Sequence, residues 1–260
     1  MQEFLKTTIK EAGLLAKEYY RKGVSHKFKS DPSDLVTEAD IAVNDFLIKK
    51  IREKFPDHGI ISEEAEEIKG TSEFKWVMDP IDGTRNFAKN IAFWCTMIGI
   101  EKNGKPYMGA IYDAINDELF FAEVGKGSFL NGEKIEVGKH EEVDYSFVVF
   151  SNGQINDTEY GITEEIYGRY NNFYKNINGN NGHWLHNYGS CLSICHLACG
   201  RMDTVILNAG LYHDYLAGYV IATEAGAKFT DSYGVDWSKE KRDVLVANPK
   251  LHPKFLELFG

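Results

Sequence analysis

Basic residues are scarce in this chain of 260 residues: 29 Lys and Arg stand against 39 Asp and Glu, a formal charge of −10 at neutral pH. The deficit argues against nonspecific attraction to nucleic acid or to an anionic membrane. An anionic substrate then needs bound cations to invert the local field. Long apolar runs are also missing. The longest mostly apolar stretches, such as residues 91–100, fall well short of the ~20 residues a membrane helix needs. The opening Met1-Gln2-Glu3-Phe4-Leu5-Lys6 lacks the layout of a secretion signal, so a cytoplasmic protein is expected. Cysteine is limited to Cys95, Cys191, Cys195 and Cys199. The last three recur every fourth residue, which puts them along one helix face as small hydrophobes. A zinc site with His196 would need ligands converging from elsewhere, because His196 points off that stripe; reduced core thiols are expected instead.

No Gly/Ser- or Pro-rich linker, internal repeat or low-complexity tract divides the chain. Hydrophobic content of 43% and charged content of 26% are near the globular average, and the length suits one to two domains. Residues 1–22 read as a helix, followed by an exposed loop over 23–33. Thr37 with Asp40 three residues on has the form of a capping box, and Val43, Leu47, Ile51 and Phe55 share a face before Pro56 ends the run. Two short strands, over 59–63 and 74–79, each end in carboxylates. A meander follows over 94–100, 107–112 and 118–123. After a strand at 147–150 the chain alternates: a helix from Thr163, a strand near Asn178, a helix over 190–199 and a strand over 204–207. A helix over 215–225, a strand over 244–247 and a terminal helix from Pro249 complete it. The division expected is an N-terminal α+β half, 1–145, and a C-terminal α/β half, 146–260.

The most informative segment is Asp79-Pro80-Ile81-Asp82-Gly83-Thr84, where an apolar strand runs into two acids and then a helix start. Carboxylates beside backbone amides set cations next to an anion site: Asp79, Asp82 and the Ile81 carbonyl could hold magnesium while the Gly83 and Thr84 amides hold phosphate. An ordinary strand-turn-helix with Asp-Gly as its turn signal is the competing reading. Glu63 ends the preceding strand, and neighbouring strand ends lie about 5–10 Å apart, within reach of Asp79. The following Glu64, Glu66 and Glu67 read as a solvated acidic run. Asp214 precedes an apolar helix, where an N-cap is the commonest role for Asp.

Asp79-Pro-Ile-Asp-Gly-Thr84 followed by Asn86-Phe87 resembles the first signature of the inositol monophosphatase family, within the fructose-bisphosphatase-like superfamily of lithium-sensitive, magnesium-dependent phosphatases. The likeness covers nearly the whole chain. Asp34 to Asp40 resembles the segment before the family's second helix, Ser62-Glu63-Glu64 its Gly-Glu-Glu metal segment, and residues 214–226 its second signature. Gly125-Lys-Gly-Ser-Phe-Leu-Asn-Gly132 is similar to its turn in the N-terminal sheet. The resemblance implies a five-layer αβαβα sandwich of α/β (α+β) class, a homodimer, and hydrolysis of a small phosphate monoester. It implies that Glu63, Asp79 and the Ile81 carbonyl hold one magnesium, that Asp79, Asp82 and Asp214 hold a second, and that Glu63 reaches a third through water. Thr84, paired with Asp40, would orient and help deprotonate the attacking water, a displacement that needs no covalent nucleophile.

Departures fall where substrate choice is set. His213 stands where the second signature has Trp, and the family's sugar-contacting Glu is replaced by Leu207 beside Asn208. Gly189-Ser190-Cys-Leu-Ser-Ile-Cys195 is similar in form to a segment of the 3'(2'),5'-bisphosphate nucleotidases, and its spacing to Gly200 suits histidinol-phosphate phosphatases. Asn86 speaks against the nucleotidase, which often has Glu there. Gly189, Ser190, Asn208, Asp82 and Asp214 are the expected substrate contacts. Lys27 and Lys29 occupy the family's mobile metal-sensing loop, or are two solvated lysines. A non-catalytic relative with the same fold would be expected to lack one of the acids, and none is lacking.

Overall fold

The computed structural model describes residues 1–23, 26–28, 35–152, 162–178 and 184–260. Lys29 and Asp34, singled out above, lie outside the described residues, and of Lys27 only the backbone is described. Helix α1 (Gln2–Lys22) leads to strands β1 (His26–Phe28) and β2 (Leu35–Thr37), then helix α2 (Glu38–Lys54). Strands β3 (Gly59–Ser62), β4 (Ala65–Ile68) and β5 (Phe74–Asp82) precede the short helix α3 (Thr84–Ala88). A meander follows of β6 (Cys95–Lys102), β7 (Lys105–Asp113), β8 (Glu118–Glu123), β9 (Gly127–Leu130) and β10 (Glu133–Ile135). The remainder comprises β11 (Phe147–Ser151), α4 (Glu164–Asn178), β12 (Trp184–His186), α5 (Leu192–Ala198), β13 (Thr204–Leu207), α6 (Tyr212–Glu224), β14 (Lys228–Thr230), β15 (Val244–Ala247) and α7 (His252–Glu257).

The strands β3 to β10 form one sheet in the order β10-β9-β8-β7-β6-β5-β3-β4, and β11 to β15 form a second in the order β12-β11-β13-β15-β14. Strand alternation decides what covers each face. In the first sheet Trp76, Met78, Ile98 and Ile100 pack on Leu5 and Ile9 of α1 and Val43 and Leu47 of α2. The alternate residues Val77, Met97, Ile111 and Phe120 pack on α5 and α6. In the second sheet Val149, Val205 and Val246 turn towards α6, while Val148, Ile206 and Leu245 turn outward onto Tyr170 and Phe173 of α4 and Phe255 of α7. The result is the expected five-layer αβαβα sandwich. No helix among the described residues is long and apolar enough to cross a membrane.

Helix α6 packs directly on the backbone of the first sheet where two glycines face each other beneath it. Gly99 of β6 pairs with Gly109 of β7. A Cβ on Gly99 would come within 2.6 Å of Leu216 Cγ, and one on Gly109 within 2.4 Å of the Ala217 carbonyl oxygen. Any side chain there would lift α6, and with it Asp214.

Several local expectations need correction. The residue-23–33 segment is not loop throughout, since His26–Phe28 pairs antiparallel with Leu35–Thr37. The stretch near Asn178 is the end of α4, and the strand falls later, at Trp184–His186. The acidic run is half of a hairpin: β4 pairs antiparallel with β3 at the sheet edge, with Glu66 and Glu67 exposed and Glu67 taking the Lys75 ammonium at 2.7 Å. All four cysteines are free thiols, three of them buried.

Candidate active site

Asp79 and Asp82 are three residues apart, an odd spacing that would point them to opposite faces of a regular strand. A bulge restores the parity. Asp79 pairs with Met97 and Asp82 with Cys95, so three steps along β5 answer two along β6. The strand therefore runs on to Asp82 rather than ending at Asp79, and both carboxylates face α6. Pro80 belongs in this irregularity, because it has no N–H for a ladder bond. Its carbonyl takes the Thr96 hydroxyl at 2.9 Å, and Asp79 Oδ1 accepts the Ile81 amide at 2.9 Å.

Glu63 follows directly on β3, which runs parallel to β5 with Ser62 opposite Met78, and its amide donates to the Met78 carbonyl at 3.2 Å. Its carboxylate is thereby brought near Asp79, close enough for its charge to raise the Asp79 pKa. Asp214 does not precede its helix as expected. The helix begins at Tyr212, and the Asp214 carboxylate reaches back to cap the Leu211 amide at 2.5 Å. One oxygen each of Asp79, Asp82 and Asp214 lies within 4.8 Å of the others. Two of these acids come from the first sheet and one from a helix packed against it.

Thr84 donates its hydroxyl to the Ile81 carbonyl at 3.0 Å, at the start of α3. Gly83, with φ of 86°, occupies the left-handed region that turns the chain out of β5. Asp40 sits in a complete capping box: its Oδ2 accepts the Thr37 amide at 2.8 Å and the Thr37 hydroxyl. Nothing among the described residues donates to its Oδ1, which is buried. Ser190 donates its hydroxyl to Asp82 Oδ2. The adjoining Gly189 is held by a bond from its amide to Asn187 Oδ1 at 3.0 Å. Asn208 is buried and donates to Asn152 Oδ1 at 2.7 Å. Beside Asp214 an open cleft of about 460 Å³ is lined by Leu211, Tyr212, His213, Lys239, Glu240 and Arg242. A larger cavity of about 590 Å³, between α1 and the β8–β9 edge, contains none of these acids.

Desolvation and neighbouring carboxylates push buried Asp79, Asp82 and Asp40 and half-buried Asp214 upward. Desolvation raises Asp79 well above the carboxylate range, and the charges of Glu63, Asp82 and Asp214 add to it. Asp82 is raised to about 6 by desolvation, opposed by the Ser190 hydrogen bond and assisted by Asp214. Desolvation raises Asp214 too, against the lowering influence of His213, whose Nε2 lies 3.4 Å from its Oδ1. Asp40 is pushed up to about 7, again chiefly by desolvation, with Glu64 and Glu63 contributing and the Thr37 bonds opposing. Hard oxygen donors crowded at this spacing, and short of positive charge, are the donor set that suits magnesium. In a second group of similar spacing, Asp113, Glu118 and His196, both carboxylates already have protein partners. Arg201 grips both Glu118 oxygens at 2.5 and 2.6 Å, and Asp113 accepts from Ile115, Asn116 and the Asn116 side chain.

Cys95 sets its thiol 3.5 Å from Asp82 Oδ2. Its position on β6 opposite the bulge carries no sequence signal, because the pairing register is set by a partner strand.

The whole chain, residues 1–260, matches the model of the inositol monophosphatase family. It is similar to inositol monophosphatase 3 of Solanum lycopersicum, 34% identical over 99% of this chain and 96% of that protein. Inositol-1-monophosphatase of Bacillus subtilis is 31% identical over 99% and 95%. Among solved structures, the extragenic suppressor protein suhB of Bartonella henselae superposes with a TM-score of 0.90 at 26% identity, covering 99% of this chain and 97% of that one. With three acids gathered across a strand bulge and a helix start, and kinship along its entire length, the chain belongs to the inositol monophosphatase family.

Proposed function

We propose that the protein hydrolyses small phosphate monoesters, with inositol monophosphates as the first substrates to try, using two or three magnesium ions. The observation that carries this is the meeting of one oxygen each of Asp79, Asp82 and Asp214 within 4.8 Å, with Glu63 near Asp79. Glu63, Asp79 and the Ile81 carbonyl would hold one ion, and Asp79, Asp82 and Asp214 another. When bound, magnesium supplies the positive charge that neutralises the phosphate and lowers the pKa of an attacking water. Asp40, with one oxygen unpartnered among the described residues and a pKa of about 7, is suited to take up that water's proton. Thr84 orients the water, and the Gly83 and Thr84 amides hold a phosphate oxygen. Gly189 and Asn208 border the alcohol portion of the substrate, with Asp82 and Asp214. Residues 1–145 and 146–260 act as two halves that close on each other, since Asp214 belongs to the second.

The curated relatives do not favour the nucleotidase or histidinol-phosphatase alternatives. A homodimer in the cytoplasm, inhibited by lithium, is part of the same reading. A panel of phosphate esters assayed with magnesium, with and without lithium, tests it. Release of phosphate from inositol 1-phosphate, lost on chelation, is expected. Preference for adenosine 3',5'-bisphosphate would move the protein to the nucleotidases, and no magnesium-dependent release from any ester would end the proposal.

A further inference from the structure

Asp82 is approached from two sides by donors on different elements. Ser190, two residues before α5, donates its hydroxyl to Asp82 Oδ2, and Cys95 at the start of β6 sets its thiol 3.5 Å from the same oxygen. The Ser190 oxygen also accepts the Leu192 amide at 3.2 Å. A hydroxyl has one proton to give. Here that proton is committed to Asp82, a lone pair is committed to Leu192, and the residue is only 8% exposed. The serine also lies directly over the turn that follows Asp82: a Cβ built on Gly83 would stand 3.1 Å from Ser190 Cβ. Little hydrogen-bonding capacity is left for a substrate.

We propose that Ser190 is a positioning residue, whose hydroxyl, assisted by the Cys95 thiol, fixes the Asp82 carboxylate in the orientation that lets it share a cation with Asp79 and Asp214. This differs from the substrate contact that the family resemblance implies for Ser190, and it rests on the metal-dependent phosphatase reading above. A carboxylate bonded at one oxygen has its rotation about Cβ–Cγ removed, so an ion meets a ligand already aimed. Without the hydroxyl, the carboxylate keeps the Cys191 amide and the weak Cys95 thiol donor, and loses the bond that fixes its Oδ2. The bond also joins the two halves of the chain at the metal site, because Ser190 and Asp82 lie 108 residues apart.

Calorimetric titration of the metal-free full chain with Mg²⁺ alone, in the absence of any ester, separates the two roles. Ser190→Ala is expected to weaken Mg²⁺ binding about 10-fold, the usual range for losing a group that orients a metal ligand. The half-saturating Mg²⁺ concentration in hydrolysis should rise by the same factor, while KM for inositol 1-phosphate at saturating Mg²⁺ stays unchanged. Ser190→Thr keeps the hydroxyl and should restore binding; Cys95→Val should weaken it in the same direction but less. Thermal unfolding in chelator shows whether each variant is folded, and the threonine and valine variants carry the test if the alanine variant is not. Unchanged Mg²⁺ affinity with a raised KM would return Ser190 to substrate binding, and unchanged values of both would remove it from the site. A wild type that binds Mg²⁺ but hydrolyses no ester refutes the phosphatase reading, while the calorimetric comparison still decides the role of Ser190.

Discussion

Replacing Asp82 with Asn in the metal-free protein removes a charge that the fold holds at a cost. A carboxyl whose folded pKa lies above its unfolded value stabilises the fold while it is protonated, and that contribution disappears as pH rises through the folded pKa. For Asp82 the folded value is about 6 against an ordinary 3.8. Linkage then gives a loss of about 1.5 kcal/mol between pH 5 and pH 8. Asp79 and Asp214 lie in the same cluster and are shifted the same way, so neutralising Asp82 relieves them as well. Buried His58 and His252 and half-buried His196, pushed down by desolvation, titrate in the opposite sense over part of this range. The wild-type curve alone therefore mixes the two, and the difference between wild type and Asp82→Asn isolates the acids. In chelator, the variant should gain roughly 1.5 kcal/mol on the wild type from pH 5 to pH 8, or about 3–6 °C in Tm at this chain length. Magnesium should stabilise the wild type more than the variant, and more at pH 8 than at pH 5. Urea or thermal unfolding at both pH values, with and without magnesium, provides the measurement. A pH-independent difference would show that Asp82 is not held in a field of neighbouring carboxylates.

Asp79→Asn is expected to lower magnesium-dependent phosphate release by about two orders of magnitude or more while leaving the circular dichroism spectrum intact; unchanged release would take Asp79 out of the mechanism. Gly109→Ala forces a Cβ against the Ala217 carbonyl and should cost roughly 1–3 kcal/mol in chemical denaturation, with a loss of magnesium affinity as Asp214 moves off. Thr37→Val removes the hydroxyl that caps α2 and bonds Asp40, for about 1 kcal/mol of stability. The same change withdraws a bond that holds the Asp40 pKa down, so the alkaline rise of the rate profile should move to higher pH.

Much of the framework is legible in the chain. The strands Glu118–Glu123, Thr204–Leu207 and Val244–Ala247 fall where their apolar patterns end, because short buried runs bounded by turn residues leave little choice. The Thr37–Asp40 box is equally local, its partners three residues apart. Less legible are the elements whose partners are distant. Strand β4 reads as a charged tail until β3 supplies its other half, and β14 is three residues long. The start of α6 carries no local signal, because Leu211 offers no capping side chain and Asp214 reaches back to cap it from inside the first turn.

The linear order of residues determined the chemistry available: acids at Glu63, Asp79, Asp82 and Asp214, a glycine turn after the third of these, and too few cations to balance them. The packed molecule decided that these acids form one group. Side-chain direction along a strand has period two, so only the bulge against β6 turns Asp79 and Asp82 to the same face. Helix position is set by what lies beneath it, so only the bare Gly99–Gly109 pair lets α6 sink far enough to deliver Asp214. Both depend on the register of strands far apart in the chain, which no local pattern of residues encodes.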